Sequence, residues 1–228
     1  MSVDFRVVSI GALDVHPLWD ERSAPRTGHA TTTLVKAGDA CILIDPGLPG
    51  QIIEARLAER ANLRPGDITH VFLTCFRPDV RRGIECFEKA QWLVSEAERE
   101  GMGVPLVQSL QRAAEADDEE LKRALEHDVA ILQRCQAAPD ELAPGVSVFP
   151  LPGVTPGMCG VLIAHPRYTV LVCGDAVPTI EHLEQGKVVR WAVDVKAAQD
   201  SFSEAIEIAD LLVPGRDNLT VNPVRRPF

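Results

Sequence analysis

Apolar residues recur along this chain in short runs of strand length, separated by Gly- and Pro-marked turns and by longer stretches with helical spacing. Phe5 to Ile10 alternates weakly and predicts an edge-type strand, and Gly11 to Gly28, with Pro17 and Pro25, predicts an irregular loop able to reach a neighbouring site. Thr31 to Lys36 and Cys41 to Asp45 flank a Gly38-Asp39 turn, the pattern of a β-hairpin. Ile52, Ile53, Leu57 and Ala61 then fall at helical spacing over 51–61, and the Pro65-Gly66 turn leads into the apolar run Val71-Phe72-Leu73. Strand, helix and strand in that order predict a parallel unit in an α/β fold.

Gln91 to Val94 reads as a further strand. Residues 104–138 then predict a long helical stretch, with Leu106, Leu110 and Ala113 followed by Leu121, Leu125, Val129 and Leu132. The acidic run Asp117-Asp118-Glu119-Glu120 suits the start of a new helix, so a break is expected there. The stripe on this segment can serve as a lid over a cleft, or pack on the flank of the sheet or on a second subunit. The second half repeats the logic of the first, with strands at 146–149, 160–164 and 168–173, a helix over 197–209 and a short strand at 211–213.

Composition narrows the function. At 228 residues with 46% hydrophobic residues, the chain is long enough for one substantial core, and a single domain over 1–228 is expected. Thirty-three acidic against 23 basic residues give a formal net charge of −10, which argues against a nucleic-acid partner because phosphate binding needs a basic face. No apolar run of about 18 residues and no charged-then-apolar leader is evident, so a cytoplasmic protein with no membrane contact is expected. The six cysteines contain no C-x-x-C pair and several lie in apolar runs, which predicts reduced, mostly buried thiols.

Chemistry concentrates after Val71-Phe72-Leu73, where the apolar run ends in a polar loop containing Cys75, Arg77 and Asp79, and an α/β fold presents its chemistry at the carboxyl ends of strands. The loop resembles the signature of the metallo-β-lactamase superfamily, Thr-His-x-His-x-Asp-His followed by Gly, with Cys75, Arg77 and Val80 at the three histidine positions and Gly83 beyond. Pro152-Gly153-Val154-Thr155-Pro156-Gly157 resembles the family's Pro-Gly-His-Thr-Pro-Gly turn except at the histidine. Val170 to Asp175 resembles its strand ending Gly-Asp, Val213-Pro214-Gly215-Arg216 its Val-Pro-Gly-His, and Asp45-Pro46-Gly47 its Asp-x-Gly. Five motifs in order over residues 30–217 imply a four-layer αββα sandwich, with the 104–138 helices as an insertion.

That resemblance also implies a dinuclear zinc or iron centre that activates water for hydrolysis. Here the first metal's histidines have become Cys75, Arg77 and Val154, and the second metal's set reads Asp79, Val80, Asp175 and Arg216. Asp45 inherits the role of bracing the ligand loop. No metal or other cofactor is therefore expected. Arg77 and Arg216 are expected to face Asp79 and Asp175 and to neutralise two carboxylates that would otherwise repel each other.

The favoured expectation is a non-metal pseudoenzyme with a binding or interaction role, its degenerate centre held by internal ion pairs. A small anionic ligand drawn by Arg77, Arg216, Arg81 or Arg82 is a second reading. A third is a lactonase- or thioesterase-like hydrolase built on Cys75, Asp79 and Asp175, with Cys75 as nucleophile. A homo-oligomer is compatible with all three. His29, beside Arg26, lies where family members place pocket-rim residues, though a lone histidine in such a turn is more often structural.

Overall fold

The computed structural model describes residues 3–225. Strands β1 (Val3–Ser9), β2 (Thr32–Ala37), β3 (Ala40–Ile44), β4 (His70–Leu73), β5 (Gln91–Val94) and β6 (Gln136–Ala137) form one six-stranded sheet in that order. The second sheet also has six strands, in the order β12 (Thr220–Val221), β11 (Leu211–Pro214), β10 (Tyr168–Gly174), β9 (Cys159–His165), β8 (Val146–Pro150) and β7 (Glu141–Ala143). Pairing is parallel from β3 through β6 and between β10 and β11, and antiparallel elsewhere.

The short apolar runs become strands because both of their faces are covered. Ile42, Ile44, Phe72 and Leu93 pack with Val161, Ile163, Val170 and Val172 between the two sheets. The alternate residues Leu43, Val71 and Leu73 belong to the cluster that includes Ile53 and Leu57 of helix α1 (Gly50–Ala61). Leu171 and Leu212 meet Ala198, Phe202 and Ala205 of the later helix Val195–Ile208 in the same cluster. Helix, sheet, sheet and helix are the four expected layers.

Between these elements lie a short helix α2 (Pro78–Arg81) and two antiparallel helices, α3 (Glu96–Glu115) and α4 (Glu119–Arg134). After β10 come α5 (Ile180–Gln185) and the packing helix α6 (Val195–Ile208). The insertion therefore starts eight residues earlier than its apolar spacing predicts, because the Ser95 hydroxyl accepts from the Glu98 amide at 3.0 Å and caps the helix there. It also stops at Arg134, since Gln136–Ala137 pair with β5. Asp118 caps α4 at the expected break, its carboxylate accepting from the Leu121 amide at 3.0 Å.

Among the described residues no helix is long and apolar enough to cross a membrane. Cys41, Cys75, Cys135, Cys159 and Cys173 are buried free thiols, and Cys86 is an exposed one.

Candidate functional site

The parallel strands deliver the chemistry to one edge. Asp45 follows β3, Thr74 to Val80 follow β4, Asp175 follows β10, and Arg216 lies just beyond β11. Backbone bonds tie these endings together: the Ala30 amide donates to the Asp79 carbonyl at 3.0 Å and the Thr31 amide to the Gly215 carbonyl at 2.7 Å. Gly215 is required there, since a Cβ would lie 2.5 Å from the Gly174 carbonyl carbon and 2.7 Å from Asp175 Oδ1.

Arg216 is the centre of the cluster. Its side chain is 1% exposed, and it grips Asp175 with two hydrogen bonds, Nε to Oδ1 at 2.8 Å and Nη2 to Oδ2 at 2.7 Å. The third nitrogen, Nη1, reaches Asp79 Oδ2 at 2.6 Å, off the ideal hydrogen-bond angle but in direct ionic contact. Burial works against charge on both partners. The Asp175 and Asp79 carboxylates outweigh it and hold the Arg216 guanidinium even more firmly protonated than usual. Burial likewise raises the Asp79 carboxyl, but the Arg216 and Arg77 charges prevail and hold it below its ordinary value.

Arg77 does not share this position. Its Nε contacts Asp79 Oδ1 at 3.3 Å, its guanidinium lies over the Trp191 ring at 5.4 Å, and Asp175 is left to Arg216 alone. Both arginines thus face the two aspartates as expected, Arg77 on Asp79 and Arg216 on Asp175, with Arg216 reaching Asp79 as well. Arg77 stays at the cleft for a local reason: it is the residue before Pro78 and adopts an extended conformation (φ −85°, ψ 146°), and its side chain remains 33% exposed.

The other three expected site positions are apolar or thiol side chains and are closed to solvent. Cys75, Val80 and Val154 are all at most 2% exposed and belong to the same core cluster. Burial, then the charges of Asp175, Glu98 and Asp45, push the Cys75 thiol well above its ordinary value, which keeps the sulfur neutral. Asp45 turns back on the loop in a left-handed conformation (φ 54°) and accepts from the Thr74 amide at 2.8 Å and the Thr74 hydroxyl at 2.7 Å. Burial nevertheless raises its carboxyl to about 7.

Glu98 was not legible as a site residue. Fully buried on α3, it accepts from the Phe76 amide at 2.8 Å, the Thr155 hydroxyl at 2.7 Å and the Gly157 amide at 3.0 Å, so it joins the loop after β4 to the Pro152–Gly157 turn. Ser95-x-x-Glu98 has the form of a capping box and was the available signal, but the carboxylate reaches across to the two loops. Gly157 permits the approach, because a Cβ would lie 1.9 Å from the Glu98 nitrogen.

Above the cluster is an open cleft of about 640 Å³, walled by the loop segment 13–28, by Arg77, Pro78, Asp79 and Arg82, and by Trp191. No residue of α3 or α4 lines it, so these helices form no lid over this cleft; Arg81, expected near a ligand, is instead buried against Phe76 and paired with Asp128 of α4 at 2.6 Å. His29 is held by backbone carbonyls, its ring nitrogens 3.3 Å from Thr27 O and 3.2 Å from Ile10 O. The loop is anchored through His16, which stacks on Trp19 and lies 3.3 Å from the Thr179 hydroxyl and 3.4 Å from Glu181.

A dinuclear metal centre does not fit these residues. The Asp79 and Asp175 carboxylates are already engaged by one guanidinium, Val80 and Val154 offer no lone pair, and Cys75 is held as a thiol. Among the described residues no group of three His, Cys, Asp or Glu side chains is arranged to hold a metal ion.

Residues 25–74 match the model of the metallo-β-lactamase superfamily, a match that ends one residue before Cys75. Among solved structures, a candidate metallo-β-lactamase from Thermotoga maritima superposes with TM-score 0.69 at 18% identity, covering 97% of this chain and 100% of that one. A candidate metal-dependent hydrolase from Staphylococcus aureus gives 0.67 at 16% identity, covering 95% and 89%. AidC, a dizinc quorum-quenching lactonase in complex with a product, gives 0.62 at 20% identity, covering 78% and 67%. No curated protein matches the sequence.

Proposed function

We propose, for a chain that has the metallo-β-lactamase fold, that the dinuclear hydrolase centre has been exchanged for an ion-pair network and that the protein acts by binding in the cleft above it. One observation carries this reading: the Arg216 guanidinium lies between Asp79 and Asp175 and engages both carboxylates with all three of its nitrogens. Arg216, fixed by covalent connection to the backbone, and Arg77 together balance the two negative charges of Asp79 and Asp175, and neither leaves a water with a lowered pKa to attack an ester or amide. The lactonase among the structural neighbours is a dizinc protein, and hydrolysis of a lactone by that route needs donors that this chain lacks.

The alternative hydrolase built on Cys75 draws no support from a sulfur that is fully buried and, among the described residues, has no hydrogen-bond partner or nearby histidine base. A single compact domain, a cytoplasmic location and self-association are compatible with this reading.

Elemental analysis of protein purified without chelator tests it. We expect zinc, iron and manganese each far below one equivalent per chain, and no lactone or thioester turnover above a blank. Near-stoichiometric metal that survives dialysis and is lost in an Asp79→Asn or Asp175→Asn variant would overturn it.

A further inference from the structure

We infer that the cleft binds a small organic oxyanion, its carboxylate or phosphate held by Arg77 and Arg82 and its flat or apolar body lying against Trp191. The inference rests on the metal-free reading above and names the ligand class for that cleft.

Charge is the first argument. In a chain with formal net charge −10, three arginines, Arg26, Arg77 and Arg82, line one cleft against two aspartates, Asp14 and Asp79. Arg26 is neutralised by Glu21 and also donates to the Leu13 carbonyl at 3.1 Å. Arg82 differs: among the described residues it forms no ion pair, and its hydrogen bond is one donation to the Gly28 carbonyl at 3.3 Å. That bond orients the guanidinium on the wall and leaves most of its donors free. Arg77 commits Nε to Asp79, whose negative charge is already shared with Arg216, so the two terminal nitrogens of Arg77 remain available.

Geometry is the second argument. Arg77 and Arg82 come from the two ends of the same short turn of helix, 78–81, so one backbone segment sets their separation. A guanidinium presents a planar fork that matches the two oxygens of a carboxylate or phosphate, which a lysine does not. Trp191 completes the wall, with the Arg77 guanidinium over its ring at 5.4 Å, and Leu13 and Pro78 add apolar surface beside it. A volume of about 640 Å³ suits a metabolite-sized molecule and is larger than a bare inorganic ion needs.

Titration calorimetry at low salt with phenyl phosphate, 3-phenylpropionate, inorganic phosphate and the neutral 3-phenylpropan-1-ol tests the assignment. We expect at least one of the phenyl anions to bind, with affinity falling as salt is raised, and the alcohol to bind more weakly by about tenfold or more. The tighter of the two anions identifies the headgroup. Arg82→Gln should weaken that anion by about tenfold or more, with an unchanged melting temperature because the side chain is exposed. Trp191→Leu should weaken the phenyl anions and leave the feebler binding of inorganic phosphate as it was.

Failure of both phenyl anions to bind at millimolar concentration, equal binding of the alcohol, or a fully competent Arg77→Gln/Arg82→Gln double variant would overturn the inference. Metal content measured on the same samples separates the two levels. Protein that is metal-free but indifferent to anions defeats the ligand assignment alone, whereas metal-loaded protein defeats the underlying reading as well.

Discussion

Beyond the strand ends of the two sheets, two groups of largely buried side chains differ in what surrounds them. Cys75, Val80 and Val154 merge with the hydrophobic core, and the polar backbone near them is satisfied by Glu98. Asp79, Asp175 and Arg216 stay ionic, with the guanidinium fixed by two carboxylates. Burial poses a different problem for each group. Where every side chain is apolar or a neutral thiol, burial alone is stabilising. Where carboxylates are present, they are costly in a low-dielectric site until a buried cation faces them.

The ionic half is accordingly the more fragile, and the largest effect is expected there. Arg216→Ala leaves Asp175, 2% exposed, without its partner, at a cost of about 3–5 kcal/mol in unfolding free energy. Asp175→Asn in the same background removes the stranded charge, so the double variant should be less destabilised than the sum of the single variants. Urea unfolding of the three proteins reads this as a coupling energy. Additive, small effects would mean that the arginine is hydrated and that the two groups do not differ.

Which half could be read from sequence follows the same physics. The strands were legible because runs such as Cys41 to Ile44 are buried on both faces, and Asp45, Asp79, Asp175 and Arg216 were legible because each follows a strand within a recognisable motif. The direction in which Arg77 leaves its loop was not, since that depends on the backbone angles before Pro78. Glu98 escaped because Gly101, Gly103 and Pro105 weaken the helical pattern around it and hide the helix start at Ser95. The strands β6 and β12 have two residues each and β7 has three, too few for any periodicity to register.

A smaller effect is expected from Asp45, whose carboxyl accepts from the Thr74 amide and hydroxyl one residue before Cys75. Its carboxyl is raised from 3.8 to about 7 in the fold, so over that window the folded state keeps a proton that the unfolded chain has already released. Stability therefore falls as pH rises from about 4 to about 7, and the raised carboxyl of Glu98 adds to the same slope. Asp79, held below its ordinary value, acts in the opposite sense and only at lower pH. Unfolding free energies at about pH 5 and about pH 8 should differ less for Asp45→Asn than for the parent protein. An unchanged difference would mean that Asp45 is ionised throughout and that its two bonds from Thr74 outweigh its burial.

The apolar half makes the mildest prediction, and it separates a core thiol from a reactive one. Cys75 is 0% exposed and its thiol is raised by burial and by the neighbouring carboxylates, so a water-soluble disulfide reagent should not reach it in the native protein. Cys86 is exposed, and burial together with Glu54, Glu85 and Glu88 raises its thiol more modestly, so one thiol should react, slowly, and Cys86→Ser should abolish the signal. In urea all six should react. Labelling of Cys75 in the folded state at a rate matching Cys86 would show that the apolar half opens to solvent. The contrast with the ionic half would then vanish, and a nucleophilic role for that sulfur would return.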